Sequence, residues 1–545
     1  MMITFLSQAI DSISTTAADA PTSSIVLALV VSIGLVSFVA SPKGKTNAKG
    51  EKQQQTDKPW PKVAGALPVV GNLHQLKSPQ LLAPKAEEWA DEYGKDMGCF
   101  EISLMGKKLL VVASEERIKE IMAKRPFQVI RSVKATDAAK SVGAAGTFSS
   151  EGKVWQADRK LVAPSFNHNH IRDFLTPVKT VMQRLLDVWT DKCKKDNDDN
   201  GIVINDDLFS FALDYNALAV LGTDVDSLHG QQNQMVQDLL RTFDKIRARA
   251  FAPVHFWKIP YIGQYLDGLG SAYYGLQNQM ANLVDSYNRN GGAKTSSSLV
   301  GKLVAQSVKD STFDQQQIIG NLITVLFAGS DSSATSLCNA VEYLAKDDTG
   351  FQEELIQEIN TKLPTNMEDW TLDDLSETNV PLLTSFVYEV NRVMPAFPLL
   401  LFEAAADIPF WEGKTTIEKG TNMIILSRYS GVNPHSPPQD YARGPNGEDN
   451  TVFCPRRFVV HDKQTGTDKI TNLPKHNSTS FLAFGHGART CIGKRFALTS
   501  LAFATAALAK TFELRLAKDH EPITRIQKLA YVPAVDVRVV MTLRN

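Results

Sequence analysis

Cysteines spaced as a metal or redox pair occur nowhere in this 545-residue sequence; Cys99, Cys193, Cys338, Cys454 and Cys491 each stand apart. So odd and sparse a set argues against a disulfide framework and for a reducing compartment, which leaves a thiol free to act as a thiolate. An excess of one charge is lacking too. The formal net charge is −1, so no global basic field draws nucleic acid, and no nucleic-acid partner is expected. Internal repeats are absent, and after residue 59 no stretch has a linker's composition. One large domain is therefore the simplest organisation, and 43% hydrophobic residues suffice for its core.

What is present begins with an uncharged run at 25–40, IVLALVVSIGLVSFVA. As a helix it spans roughly 24–27 Å, short for a bilayer core of about 30 Å but close to the thinner endoplasmic reticulum membrane, about 27 Å. Residues 1–24 hold no Lys or Arg, only Asp11 and Asp19, whereas Lys43, Lys45, Lys49 and Lys52 follow the run. The positive-inside rule then makes 1–24 non-cytoplasmic, 25–40 a single-pass transmembrane anchor and the remainder cytoplasmic. A cleaved secretory signal fits less well, because a basic n-region is missing and bulky Phe38 sits three residues before a cut at Ala40. A plastid transit peptide fits less well still, because Arg is absent there, although the Ser/Thr/Ala-rich start suits one.

Residues 41–58 are polar and aperiodic, the pattern of a solvated linker. At 59–73, PWPKVAGALPVVGNL combines prolines that stiffen the backbone with glycines that permit turns, suiting a rigid lead-in to a globular body. Beyond it, apolar periodicity predicts helices over 84–93, 115–123, 170–191, 207–221, 232–249, 314–346, 349–363 and 382–393. Short β-like runs fall at 109–113, 422–426 and 537–543. The fold class expected for 59–545 is mainly α with small β-sheets.

The most informative segment is 481–512, FLAFGHGARTCIGKRFALTSLAFATAALAKTF. Gly485 and Gly487 let the chain turn tightly and approach a flat ligand. Arg489 puts a fixed cation two residues from the Cys491 thiol. The Ala/Leu-rich run after Cys491 reads as a helix, so the sulfur sits near a helix N-terminus, where amides and dipole stabilise negative charge. With no second Cys or His at zinc spacing, this suits a single axial ligand to a planar metallocofactor better than a tetrahedral site.

The segment resembles the haem loop of cytochromes P450, F-x-x-G-x-R-x-C-x-G, at every fixed position: Phe484, Gly487, Arg489, Cys491 and Gly493. Four further motifs follow that family's order, so the resemblance covers about residue 59 to the end. Trp155 and Arg159 match W-x-x-x-R; Ala328-Gly329-Ser330-Asp331-Ser332 matches the oxygen-binding stretch of a long helix; Glu389 and Arg392 match E-x-x-R; and Phe453–Phe458 matches F-x-P-x-R-F with Arg457. The resemblance implies a buried haem b with Cys491 as iron ligand, Phe484 beside the sulfur, and Arg489, Trp155 and Arg159 toward a propionate. It implies a structural Glu389–Arg392–Arg457 triad, proton delivery through Asp331 and Ser332, and a helix that Gly329 lets open over the haem. Cys454, without a Gly-rich turn, is not the ligand.

Two departures stand out. Ser332 replaces the commoner Thr, keeping the hydroxyl but losing the methyl that restricts its rotamer, so oxygen use is expected to be less tightly coupled to product. Phe402 stands where the family usually carries a basic residue toward a propionate, so that contact is either absent or made by another cation. The implied activity is monooxygenation, hydroxylation or epoxidation, of a lipophilic substrate with O2. Electrons come from NADPH indirectly, through a separate NADPH–cytochrome P450 reductase or a ferredoxin-type donor; Lys494 and Arg495 flank the loop and could contact it. An isomerase or dehydratase of lipid hydroperoxides is the alternative, as is a non-catalytic haem sensor. The Asp331–Ser332 pair argues against the former, and its coexistence with an anchor against the latter.

Overall fold

Capping chemistry sets where the longest helix begins. The Asp314 carboxylate accepts from Gln317 N at 2.7 Å while Gln317 Oε1 accepts from Asp314 N at 3.3 Å, a capping box that satisfies two otherwise orphaned donors. The helix it opens, Gln315–Ala345, runs unbroken for 31 residues. The computed structural model describes residues 59–195, 200–230, 234–252, 255–289, 297–435, 443–464, 466–475, 477–518 and 523–544. The expected anchor at 25–40, the segment before it and the linker at 41–58 lie outside these residues. Among the described residues, no helix is long and apolar enough to cross a membrane.

Eight helices position the site: α1 Glu115–Met122, α2 Gly152–Val162, α3 His168–Lys195, α4 Asn205–Leu221, α5 Gln234–Phe251, α6 Gln315–Ala345, α7 Pro381–Val393 and α8 Lys494–Thr511. Local chemistry marks some of their ends. Gly222 ends α4 in the left-handed region at φ +68°, and Pro381 opens α7 at a position that needs no N–H. The main core gathers around α3, α4, α6 and α8. Phe174 of α3 and Tyr215 of α4 both meet Phe496 of α8 edge-on, at 5.5 and 6.0 Å between centroids. Such pairs contribute about 0.5–1.5 kcal/mol each beyond burial. Buried alanines at 502, 504, 506, 507 and 509 let neighbours approach α8 closely.

The largest sheet has five strands: β1 Cys99–Leu104, β2 Lys107–Val112, β3 Val129–Arg131, β4 Leu399–Ala404 and β5 Asn422–Leu426, in the order β1-β2-β5-β4-β3. The β1–β2 turn uses Met105 and Gly106, both at positive φ, as a two-residue hairpin demands. The Pro-rich lead-in is tied to this sheet: Glu101 N donates to Pro61 O at 2.8 Å and Val63 N to Glu101 O at 3.0 Å. In the β3–β4 ladder, Arg131 lies opposite Phe402.

The helix expected over 84–93 starts at Leu82 and loosens after Trp89 into a wider turn at Ala90–Gly94. Helices over Val133–Ser141, Gly270–Arg289 and Leu299–Lys309 were not among those the periodicity predicted. The second is rich in Gly, Ser and Asn, so tertiary packing outweighs propensity there.

Candidate active site

The cysteine loop takes the shape its glycines allow. Gly485 and Gly487 adopt φ +72° and +66°. The turn closes when Cys491 N donates to Phe484 O at 2.7 Å, and α8 starts three residues past the cysteine. Cys491 has accessible surface, yet it is set deep among protein atoms, so that surface faces the interior of the molecule. Desolvation pushes its thiol pKa up. The Gly493 N–H, Arg159, Arg131 and Lys494 oppose that shift by favouring the thiolate. Cys454 is buried, its thiol is pushed to about 11, and its backbone N–H is bonded to Glu389.

Around this loop the fold collects four arginines. Arg159, on α2, donates to Thr490 O at 2.8 Å. Arg489 donates to Ser150 O at 3.0 Å and to Glu151 Oε2 at 2.9 Å, and its guanidinium rests 4.7 Å from the Trp155 ring centroid. Arg131 covers the Phe148 ring at 4.3 Å, and Arg125 covers Phe402 at 4.3 Å. Buried Nε and Nη2 of Arg125 and buried Nε of Arg131 have no hydrogen-bond partner. Glu151 is the carboxylate ion-paired within the cluster. Nearby Asp158 accepts from Ser150 Oγ at 2.6 Å and Asn321 Nδ2 at 3.1 Å.

Cations outnumbering carboxylates beside a thiol, with orphaned buried donors among them, form the donor set for a ligand that pairs a thiolate-binding metal with carboxylates. Haem b fits that description. Arg489 and Arg159 already bond protein oxygens, whereas Arg125 and Arg131 hold the unused donors. Sequence reasoning missed both, and also Glu151. The only signal for them was the gap at Phe402; the β3–β4 register and the stacking place both beside it.

The long helix supplies the second group. Ser332 Oγ donates back to Ala328 O at 2.6 Å, and Ser330 and Thr335 make the same i−4 bond. These bonds let a polar stretch sit within a continuous helix. Asp331 is buried; its Oδ1 accepts from Arg247 Nη2 of α5 at 2.6 Å, and its Oδ2 has no partner. Arg247 gave no sequence signal, sitting in an ordinary amphipathic helix. In this structure the helix runs unbroken past Gly329. A Cβ there would lie 2.6 Å from Asn216 Oδ1, so the glycine serves the close approach of α4 to α6.

Glu389, Arg392 and Arg457 are fully buried together. Arg392 reaches both Glu389 oxygens at 2.7 Å, and Arg457 Nε reaches them at 3.0 and 3.1 Å. Their remaining donors meet the carbonyls of Gly431, Asn450, Val452 and Asp449. Lys494 lies over Phe481 and Phe484, at 5.8 and 5.7 Å, while Arg495 is exposed.

A family model described as Cytochrome P450 matches residues 61–535. Among curated proteins, the chain is similar to cytochrome P450 monooxygenase sphH of Aspergillus fumigatus, at 26% identity over 80% of this chain and 79% of that one. It is also similar to cytochrome P450 3A6 of Oryctolagus cuniculus, at 23% over 81% and 83%. A crystal structure of a cytochrome P450, CYP102L1, covers 89% of this chain and 99% of its own with a TM-score of 0.72; at 19% identity it speaks for the fold.

Proposed function

Because the chain belongs to the cytochrome P450 family, and so is a haem b-dependent, oxygen-incorporating oxidoreductase, we propose that Cys491 is its axial thiolate. We further propose that it hydroxylates or epoxidises a lipophilic substrate with electrons from a separate reductase. One observation carries this reading: an interior cysteine on a glycine-built turn, with the Gly493 amide on its sulfur and four arginines around it. When bound, haem supplies the oxidation chemistry, and the thiolate donates electron density that favours O–O cleavage.

The chain's own residues hold and serve that group. Gly493 N–H and the nearby cations favour the thiolate, against the burial that raises the thiol pKa. Gly487 shapes the loop and Phe484 packs beside the sulfur. Trp155, Arg159 and Arg489 hold the propionate side, Trp155 by fixing the Arg489 guanidinium over its ring. Ser332 carries a proton on a hydroxyl that can turn from Ala328 O toward the ligand, and Asp331 resupplies it through the oxygen that Arg247 leaves unpaired. The exposed Arg495, rather than Lys494 packed on two aromatic rings, is available to an acidic reductase or ferredoxin.

The 59–545 catalytic domain follows a 25–40 anchor and a 41–58 linker, facing the cytoplasm from the endoplasmic reticulum membrane. Exposed Ile259, Tyr261, Ile262 and Tyr265 support contact with a lipid surface. In the test, the reduced, CO-bound protein shows the red-shifted Soret band of thiolate ligation, and Cys491→Ala abolishes both band and turnover. NADPH is consumed with product only when reductase is supplied. A retained thiolate band in Cys491→Ala, or turnover of a lipid hydroperoxide without reductase, overturns the reading.

A further inference from the structure

The cation missing at Phe402 has a physical replacement. Arg125 lies between α1 and β3, anchored by its backbone N–H to Met122 O at 3.2 Å. Its guanidinium covers the Phe402 ring at 4.3 Å, so the aromatic residue is a platform that fixes the cation's plane. Phe402 itself is buried in the sheet-side core. Across the ladder Arg131 faces Phe402 in register, and the two side chains share one face of the sheet. Arg131 is likewise fixed, over Phe148.

Both arginines are therefore oriented by rings on one side and left with unused donors on the other. Nε and Nη2 of Arg125 and Nε of Arg131 are buried without a partner. A buried donor without an acceptor is costly, and native proteins keep few of them. We propose that Arg125, seated on Phe402, makes the haem-propionate contact that a basic residue at position 402 would otherwise make, with Arg131 as its in-register support. The cationic function has moved from strand β4 to the segment leading into β3.

Burial agrees with this assignment. Desolvation, together with the charges of Arg131 and Arg489, lowers Arg125 to about 8, and desolvation lowers Arg131 as well. An anion between them relieves both effects. Arg125 is a positioning residue for the cofactor and touches no substrate.

The inference rests on the haem reading of the site, and its test separates the two. Haem-loaded full-length protein is mixed with excess apomyoglobin, and haem transfer is followed by absorbance. Arg125→Gln is expected to release haem about tenfold faster or more, the loss of one charge-assisted hydrogen bond. Arg125→Lys falls between Arg125→Gln and the unmodified protein. Adding Phe402→Arg to Arg125→Gln brings the rate back toward the original. An unchanged rate in Arg125→Gln overturns the proposal. So does equal loss in the Gln and Lys variants, which would assign Arg125 to packing alone, or a haem-loaded double variant no slower than Arg125→Gln. All variants retain the thiolate-type Soret band; its absence from the unmodified protein would strike at Cys491 instead.

Discussion

Two sets of arginines bury hydrogen-bond donors in this fold, and they are opposite in kind. Arg392 and Arg457 converge on one carboxylate and a ring of backbone carbonyls, so the donors they bury have acceptors. Arg125 and Arg131 are only partly buried as residues, yet they keep buried, orphaned donors over aromatic platforms. A satisfied charge network belongs to the fold. An unsatisfied one in an otherwise well-formed interior belongs to a ligand, because only a partner from outside the chain offsets its desolvation. Burial alone does not separate structural from functional charge; completeness of hydrogen bonding does.

The sharpest way to break that contrast is to open the satisfied network. Arg392→Leu leaves Glu389 and Arg457 short of partners and should cost about 3–5 kcal/mol, the range for breaking a buried ion pair. The loss should be the same with haem bound or removed, measured by denaturant unfolding of each form. A loss confined to the haem-loaded protein would place the triad in the ligand site and erase the distinction.

Asp331 lies between the two extremes, with one oxygen paired to Arg247 and the other free. If the free oxygen marks a working group, Asp331→Asn should lower turnover about 100-fold, the lower end for positioned proton transfer. Ser332→Ala should keep NADPH and oxygen consumption while releasing more hydrogen peroxide per product. Unchanged coupling in that variant would remove Ser332 from proton delivery.

The sequence showed much of this architecture, and the reasons differ by element. A long helix such as α3 carries sustained periodicity, and the start of α6 is written in Asp314 and Gln317. The loop was legible because its glycines, Arg489 and Cys491 are close in sequence, where spacing is geometry. The arginine pair was not. Arg131 meets Phe402 across 271 residues through the sheet register, and Arg125 meets it through stacking, neither of which leaves a local pattern. The closeness of Gly329 to Asn216 left no local pattern for the same reason: Asn216 lies on another helix.

Removing unsatisfied charge should have the opposite sign from removing satisfied charge. In the haem-free protein, Arg125→Gln or Arg131→Gln should leave stability unchanged or raise it by about 1 kcal/mol, because an uncompensated buried cation is gone. In the haem-loaded protein the same substitutions should destabilise. Equal destabilisation in both forms, read from thermal midpoints, would make these arginines ordinary structural residues.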